Sequence, residues 1–272
     1  EIIEHIPHIE YAEIYGSYQT NLDLPWSDID FFISSRTFSG DDCLEDLNQR
    51  FEKAKEKETW IKKIDFISSA FVPIIKMVTE SDSFEVKVDI TFKDEGHRGS
   101  DWVKLVKEYM MEFQLLSNLV MILKHLLKVH NLNDPYTGGI SSYALTLMVV
   151  AFLQHQLILL KNGQYIFSDG SRIDDWDLAS TLSQFLHFYA YQVGFAMYII
   201  HPCNPGDLSH QPILYKFPTY TDPLVINDPL NTQNNVSKSS FKADDIKEWF
   251  AHAYNAINWA ANQDIETYQK WK

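Results

Sequence analysis

The sequence predicts an α+β protein in which a small mixed sheet precedes a mostly helical part. Short apolar runs separated by turn residues predict strands at 11–15, 28–33, 64–68 and 86–92. A helix is predicted between them at 41–57, on one side of the sheet. From about residue 100 onwards the apolar residues follow a helical period instead.

A domain joint is predicted at residues 93–99, which are polar and contain two glycines. We therefore expect a sheet domain at 9–95 and a helical domain at 96–272, with residues 1–8 packed against the latter. Residues 71–78 and 82–92 can pair as a hairpin. The predicted helices of the second part, the first of them capped by Ser100-Asp101, span 102–129, 141–161, 175–190 and 243–262, and residues 213–228 are predicted to be irregular.

Two aspartates, Asp28 and Asp30, alternate with apolar residues in the second predicted strand. Alternate side chains of a strand lie on one face, so the two carboxylates are expected side by side. They repel each other when ionised, and burying them without compensation costs several kcal/mol. A divalent cation such as Mg²⁺, which prefers hard oxygen ligands, supplies that compensation. An exposed turn at the end of a strand is the simpler alternative.

A third carboxylate, Asp89, lies in a strand whose apolar residues alternate from Val86 to Phe92. Asp is disfavoured in the middle of a strand, so its position requires a reason. If this strand lies beside that of Asp28 and Asp30, three carboxylates surround two Mg²⁺ or Mn²⁺ ions, the two-metal arrangement for phosphoryl transfer. Taken alone, Asp89 would be interpreted as a surface residue.

Gly16 and Ser17 follow the first predicted strand and are expected to open a helix. A glycine lets the backbone approach a phosphate closely, and a helix N-terminus presents free N–H groups to it. The Ser17 hydroxyl adds one more donor. A Gly-Ser pair alone carries no information, but followed by Asp-x-Asp and a later strand Asp it is specific.

These motifs resemble those of the DNA polymerase β-like nucleotidyltransferases, and among them the noncanonical poly(A) polymerases and terminal uridylyltransferases. The matching segments hold their order and spacing across nearly the whole chain, at 15–22, 24–30, 88–92, 138–143 and 228–230. The segments at 24–30 and 138–143 look most like those of nuclear surveillance poly(A) polymerases. The resemblance thus implies a nuclear rather than a cytoplasmic protein.

The resemblance implies a template-independent RNA 3′-end nucleotidyltransferase with its active-site cleft between the two domains. Asp28, Asp30 and Asp89 would hold both metals, and Asp89 would help to deprotonate the attacking hydroxyl. The implied nucleotide contacts are Gly16, Ser17, Lys124, Lys128 and Ser142 to the phosphates, Tyr143 stacked on the base, and Asp228 facing it. Lys124 and Lys128 do share a helix face, although a solvated lysine pair is the alternative.

The preference for one base over another is the least determined part of this prediction. Asn234 stands where uridine-selective relatives commonly have His, and Asn leaves more space and offers both a donor and an acceptor. ATP is therefore favoured over UTP, with uridylyl transfer as the alternative. A catalytically silent scaffold is the alternative from another class, but it would be free to lose the three aspartates. A small-molecule nucleotidyltransferase fits the Gly-Ser and Asp-x-Asp motifs but not Gly-Gly-Ile-Ser-Ser-Tyr.

The net charge of −14 is unexpected for a protein that holds RNA alone, since such proteins usually have a basic footprint. Residues 1–95 hold 21 acids and 10 bases. We expect a basic RNA-binding partner, of the zinc-knuckle type by resemblance. No apolar run reaches the roughly 20 residues that span a bilayer, and no signal peptide is visible, so we expect an intracellular protein with no membrane contact. Cys43 and Cys203 are too few for a disulfide framework.

Overall fold

The computed structural model divides the chain into two compact units, Glu1–Lys107 and Glu108–Lys272. Most of the predicted joint falls on residues 93–98, which lie outside the described residues. The structure describes residues 9–35, 40–69, 72–81, 84–92, 99–159, 165–167, 177–207, 211–216 and 221–270.

The first unit contains one five-stranded sheet. Its strands are β1 (Tyr11–Tyr15), β2 (Ile29–Ser34), β3 (Ile61–Ile67), β4 (Ile74–Ser81) and β5 (Phe84–Phe92). They lie in the order β1-β2-β5-β4-β3. β2 and β5 are parallel and the other neighbours are antiparallel, which confirms the predicted mixed sheet and the β4–β5 hairpin.

Two helices accompany this sheet, the short α1 (Gly16–Thr20) and the longer α2 (Gly40–Lys55). The apolar stripe of α2 repeats at helical spacing and is buried with one face of the sheet. That core consists of Ile33, Cys43, Leu44, Leu47, Phe51, Ile61, Ile64, Ile75, Met77 and Ile90. Because side chains alternate along a strand, the other face of β2 and β5 carries Asp30 and Asp89.

The helices that follow β5 differ from the prediction mainly in that the first of them is divided in two. They are α3 (Gly99–Glu112), α4 (Leu116–Val129), α5 (Ser142–Gln156), α6 (Leu178–His187) and α7 (Ala243–Lys270). The single helix expected at 102–129 was wrong, because α3 and α4 are separate. Phe113 at the break is buried, and its N–H still bonds the Tyr109 carbonyl at 2.8 Å. Neither Gly nor Pro marks the break, so the apolar pattern runs through it without a signal.

α5 is buried on all sides, from Ala144 to Gln154. Helices that are apolar all round occupy the middle of a domain. The Gln154 side chain bonds both the N–H and the carbonyl of Cys203, each at 2.9 Å. The Tyr109 hydroxyl donates to the same carbonyl at 2.6 Å. These bonds fix the C-terminal end of α5 to the segment that contains Cys203.

Three small two-stranded sheets were not predicted. They are β6 (Leu157–Leu159) with β7 (Tyr165–Phe167), β8 (Tyr198–Ile200) with β9 (Ile213–Tyr215), and β10 (Asn227–Asp228) with β11 (Asn231–Asn235). The helix expected at 141–161 therefore ends earlier, at Gln156. The irregular segment expected at 213–228 contains β9, and Ile226 bridges to Ile200. Five of these strands have only two or three residues, and the five residues of β11 are all polar, so none has the alternating pattern by which a strand is recognised in the sequence.

Within the described ranges, no single helix has the length and hydropathy to cross a membrane. The bent pair of α3 and α4 passes the same test by length and composition only. Leu116, Leu119, Leu123 and Leu127 of α4 are fully buried in the structure.

Candidate active site

The register of the sheet aligns five side chains in one row across the face opposite the α2 core. Neighbouring members of the row are directly paired, from strand to strand: Tyr15, Asp30, Asp89, Lys76 and Asp65. Paired residues of adjacent strands project to the same side of a sheet. The two predicted aspartate strands do lie side by side, and the side chains of Asp30 and Asp89 are neighbours.

Asp28 completes the carboxylate set from the position immediately before β2, two residues from Asp30. Burial raises the pKa of Asp89 above its usual value, and the negative charge of Asp28 acts in the same direction. A hydrogen bond and the positive charge of Lys76 oppose that rise. Negative charge is thus concentrated where the side chains are partly shielded from water. Such an environment attracts cations.

Tyr15 closes one end of the row. Its hydroxyl shares a hydrogen bond with the Thr91 hydroxyl at 3.3 Å. Burial raises the pKa of Tyr15 to about 12, and the charges of Asp30 and Asp89 add to the rise. The phenol therefore stays neutral at physiological pH and adds no further negative charge to the carboxylates.

Lys76 was not identified from the sequence. Its ammonium donates to Oδ2 of Asp89 at 2.5 Å. The Asp89 side chain is 14% exposed and that of Lys76 is 44% exposed. A cation of the protein itself therefore neutralises part of the charge of the three aspartates.

Gly16 lies directly against one of the three carboxylates, that of Asp30. Its φ of +69° lies in the left-handed region that favours glycine. A Cβ at this position would lie 2.1 Å from Oδ2 of Asp30, so any side chain would displace that carboxylate. Ser17 follows as the second residue of α1 and is half-buried. The predicted start of a helix at Gly16-Ser17 is confirmed, although α1 has only five residues.

The chemistry of these donors fits Mg²⁺ or Mn²⁺, because all three are carboxylates and hard cations prefer oxygen. Among the described residues, no three acidic, His or Cys side chains already form a metal-binding group. Oδ2 of Asp30 lies against Gly16, and Oδ2 of Asp89 is bonded to Lys76. Asp28, Asp30 and Asp89 are the residues that would hold a metal once these side chains reorient.

In the second unit, hydrogen bonds join three of the predicted nucleotide-binding residues. The Tyr143 hydroxyl donates to Oδ1 of Asp228 at 3.1 Å, and the Asn234 amide donates to Oδ2 at 3.3 Å. The Leu230 N–H donates to Oδ1 at 3.0 Å. Asp228 is only 1% exposed, whereas Asn234 is exposed. Asp228, which was expected to face the base, thus lies beneath the side chains of Tyr143 and Asn234 and orients them.

Tyr143 is held in its protonated form by this arrangement. Burial raises its pKa well above the ordinary value, and the charge of Asp228 and the hydrogen bond to it add to the rise. A neutral phenol that donates to a carboxylate has a fixed ring orientation. An aromatic ring of this kind is suited to stacking against a base.

Asn235 shapes the loop that presents Asn234. Its Oδ1 accepts from the Ile226 N–H at 3.0 Å and from the Ser237 hydroxyl at 2.8 Å. Its Nδ2 donates to Oδ2 of Asp222 at 3.0 Å and to the Leu224 carbonyl at 3.1 Å. This amide satisfies backbone groups on both sides of the β10–β11 hairpin. Asn235 was not identified from the sequence, because an Asn in a polar loop carries no distinguishing signal.

The Gly-Gly-Ile-Ser-Ser-Tyr segment forms the entrance to α5. Gly139 is required here because a Cβ would lie 2.4 Å from the Leu132 carbonyl oxygen. Ser141 is the N-cap, and its hydroxyl accepts from the Ala144 N–H at 3.1 Å. Ser142 is the next residue and is exposed, so its hydroxyl remains accessible to a phosphate.

Lys124 and Lys128 both lie on α4, as predicted, but in different surroundings. Lys124 is 8% exposed, whereas Lys128 lies exposed in the last turn. So little exposure is uncommon for a lysine that serves only solubility. Lys124 is therefore not part of an ordinary solvated lysine pair.

Comparisons with known proteins agree with this fold and these motifs. Residues 2–109 match the family described as poly(A) RNA polymerase, mitochondrial-like, central palm domain. The chain is 31% identical to the poly(A) RNA polymerase gld-4 of Caenorhabditis elegans, over 90% of this chain and 28% of that protein. It is 30% identical to the inactive noncanonical poly(A) RNA polymerase protein Trf4-2 of Drosophila melanogaster, over 93% of this chain and 60% of that one. The chain thus spans only part of these relatives.

Two solved structures share the architecture. The polymerase core of TRAMP, an RNA surveillance complex, matches with a TM-score of 0.69 and 25% identity, over 90% of this chain and 72% of that one. The Cid1 poly(U) polymerase bound to Mg 3′-dATP matches with a TM-score of 0.67 and 23% identity, over 94% and 84%. The second likeness concerns the fold alone. The chain is thus similar to noncanonical poly(A) polymerases over about nine tenths of its length, and its residues 2–109 match a poly(A) RNA polymerase central palm domain.

Proposed function

We propose that this chain is an RNA 3′-end nucleotidyltransferase that adds AMP from ATP without a template. The observation that carries the proposal is the direct pairing of Asp30 with Asp89, with Asp28 two residues from Asp30 and near enough for its charge to raise the pKa of Asp89. Three carboxylates gathered in this way suit a metal-dependent enzyme that uses nucleoside triphosphates. The similarity to poly(A) polymerases supports RNA as the acceptor.

In the proposed reaction the RNA 3′-hydroxyl attacks the α-phosphate and pyrophosphate leaves. Metal ions held by Asp28, Asp30 and Asp89 would supply Lewis acidity at the phosphate and lower the pKa of the hydroxyl. Asp89 orients the attacking hydroxyl and favours loss of its proton. The backbone at Gly16 and the Ser17 hydroxyl donate to phosphate oxygens. Most of the rate enhancement then comes from positioning and electrostatics.

The orientation of the Asn234 amide supports ATP over UTP. An ionised carboxylate only accepts hydrogen bonds, so Asp228 turns the amide NH₂ of Asn234 towards itself. The carbonyl oxygen of Asn234 is then left to accept from the base. The amino group of adenine is an exposed donor that matches it, whereas the only donor on this edge of uracil, N3–H, lies between two carbonyl acceptors that the same oxygen would repel.

Asn234→His is expected to shift the preference towards UTP. The ring fills space that a purine requires and donates a hydrogen bond to a uracil carbonyl. The ratio of kcat/KM for ATP to that for UTP should fall by about 1–2 kcal/mol in free-energy terms, or about five- to thirtyfold. Gln233→His, a change of the neighbouring exposed residue on the same strand, is the control. An unchanged ratio in the Asn234 variant would mean that this position does not contact the base.

The proposed function is tested by incubating an oligoribonucleotide with each NTP and Mg²⁺ and resolving the products on a gel. Extension with ATP is the expected result. Preferential extension with UTP would favour the second candidate, a uridylyltransferase. No extension with any NTP would favour a silent scaffold, a possibility raised by the 30% identity to an inactive polymerase protein. The retention of all three aspartates in this chain speaks against that scaffold.

We also propose that a basic RNA-binding protein, of the zinc-knuckle type, assists this enzyme in the nucleus. The net charge of −14 should slow its association with a polyanion and weaken its hold on RNA. The similarity to the polymerase core of an RNA surveillance complex supports work within an assembly. A submicromolar Kd of the isolated chain for a generic single strand at physiological salt would contradict the need for a partner.

A further inference from the structure

The contact between Lys76 and Asp89 bears on how the site acquires its metal. Nζ of Lys76 lies 2.5 Å from Oδ2 of Asp89, and Asp89 projects from the same row as Asp30. The two residues are direct partners in the β4–β5 ladder. The backbone register therefore places Lys76 where its ammonium can reach this carboxylate.

An ammonium and a divalent cation cannot use the same carboxylate oxygen in the same way. Oxygen ligands lie about 2.0–2.6 Å from Mg²⁺ or Ca²⁺, so a metal on Oδ2 would fall in the region that Nζ occupies. Both are cations, and at that separation they repel each other. Lys76 has a route away from the contact, since its side chain is 44% exposed while that of Asp89 is 14% exposed.

We propose that Lys76 is a positioning residue that holds Asp89 in the metal-free protein and competes with the divalent cation for this carboxylate. Its charge keeps the affinity of the three aspartates for a metal low. Metal is then retained when the phosphates of a nucleotide add further oxygen ligands. The inference rests on the proposed function only in that Asp28, Asp30 and Asp89 bind a metal.

Direct Mn²⁺ binding, without nucleotide or RNA, tests this competition. Free Mn²⁺ is measured by electron paramagnetic resonance in a titration of the whole chain. Lys76→Met, which keeps most of the side-chain volume and removes the charge, should tighten Mn²⁺ binding by about three- to tenfold. Lys76→Arg keeps a cation and should bind Mn²⁺ as the wild type does. In EDTA, Lys76→Met should melt at a lower temperature, and Mn²⁺ should raise its Tm more than that of the wild type.

Lys63→Met is the matched control. Lys63 forms an ion pair with Asp65 on the same sheet, at more exposed positions, and its loss changes the net charge equally. Its Mn²⁺ affinity should not change. Lys76→Gln provides a second uncharged variant should the methionine impair folding, and it should shift the affinity in the same direction.

Unchanged or weaker Mn²⁺ binding in folded Lys76→Met and Lys76→Gln overturns the inference. Equal tightening in Lys63→Met also overturns it, because the effect would then be one of net charge. These outcomes are independent of tailing. A chain that adds no nucleotide to RNA, yet binds Mn²⁺ more tightly without Lys76, would refute the proposed function and leave the competition established.

Discussion

Replacement of Asp30 by Asn is expected to reduce RNA tailing by at least about a thousandfold, which corresponds to about 4 kcal/mol in the activation barrier. Asn keeps the shape of the side chain but removes a negative oxygen from the centre of the carboxylate set. Asp30 pairs with Asp89 on one side and lies against Gly16 on the other, so no neighbouring carboxylate replaces it. The measurement is kcat at saturating Mg²⁺ and ATP. Asp28→Asn should act in the same direction.

The same substitution should leave the fold intact. Removing one of several neighbouring negative charges relieves repulsion, so the Tm in EDTA should be unchanged or slightly higher. Asp65→Asn is the matched control, since Asp65 lies in the same row at the edge strand β3. It should retain nearly normal activity. Near-normal activity of Asp30→Asn at saturating Mg²⁺ would refute the metal-binding assignment.

The second large effect is expected for Asp228→Asn. Its carboxylate is 1% exposed and accepts from Tyr143, Asn234 and Leu230. An amide keeps only one acceptor oxygen and turns an NH₂ group towards one of these donors. A buried donor without a partner costs about 1–3 kcal/mol, so the free energy of unfolding should fall by that amount.

Base discrimination should also fall in Asp228→Asn, by about tenfold in the ATP to UTP ratio of kcat/KM, because the Asn234 amide is no longer forced into one orientation. Asp222→Asn separates this effect from simple destabilisation. Asp222 is half-buried in the same loop and accepts from Asn235. Its variant should lose stability and keep the ratio. If both variants changed the ratio equally, Asp228 would serve only to hold the loop.

The strands that carry Asp30 and Asp89, and β1 beside them, could be predicted from sequence because each carries its own pattern. β1 was predicted at its observed bounds, and β2 and β5 were found from carboxylates set among alternating apolar residues. Lys76 could not be found in this way, because its partner depends on the register of the β4–β5 hairpin. The ladder pairs Ser81 with Phe84, and that turn position sets Lys76 opposite Asp89. Without the turn, any of several neighbouring residues could face Asp89.

The second unit was predicted less completely, for two physical reasons. The β10–β11 hairpin is held by the side chain of Asn235, which bonds residues 9 to 13 positions earlier in the chain, beyond the range of a local sequence pattern. Phe113, at the break between α3 and α4, is buried, and helix propensity does not record that burial. Tyr143, Asp228 and Asn234 were named from the resemblance. That Asp228 lies beneath the other two side chains became apparent only from the structure.

The burial of α5 has a consequence for the thermodynamics of nucleotide binding. Tyr143 and Ser142 begin a helix that is enclosed on all sides and fixed at its far end through Gln154 and Cys203. Their conformational freedom is lost when the domain folds, so little further ordering is required when a base arrives. The affinity should therefore change smoothly on warming, as the enthalpy of binding dictates, with no abrupt loss until the domain itself melts. Base recognition and tertiary structure should then disappear in the same cooperative transition.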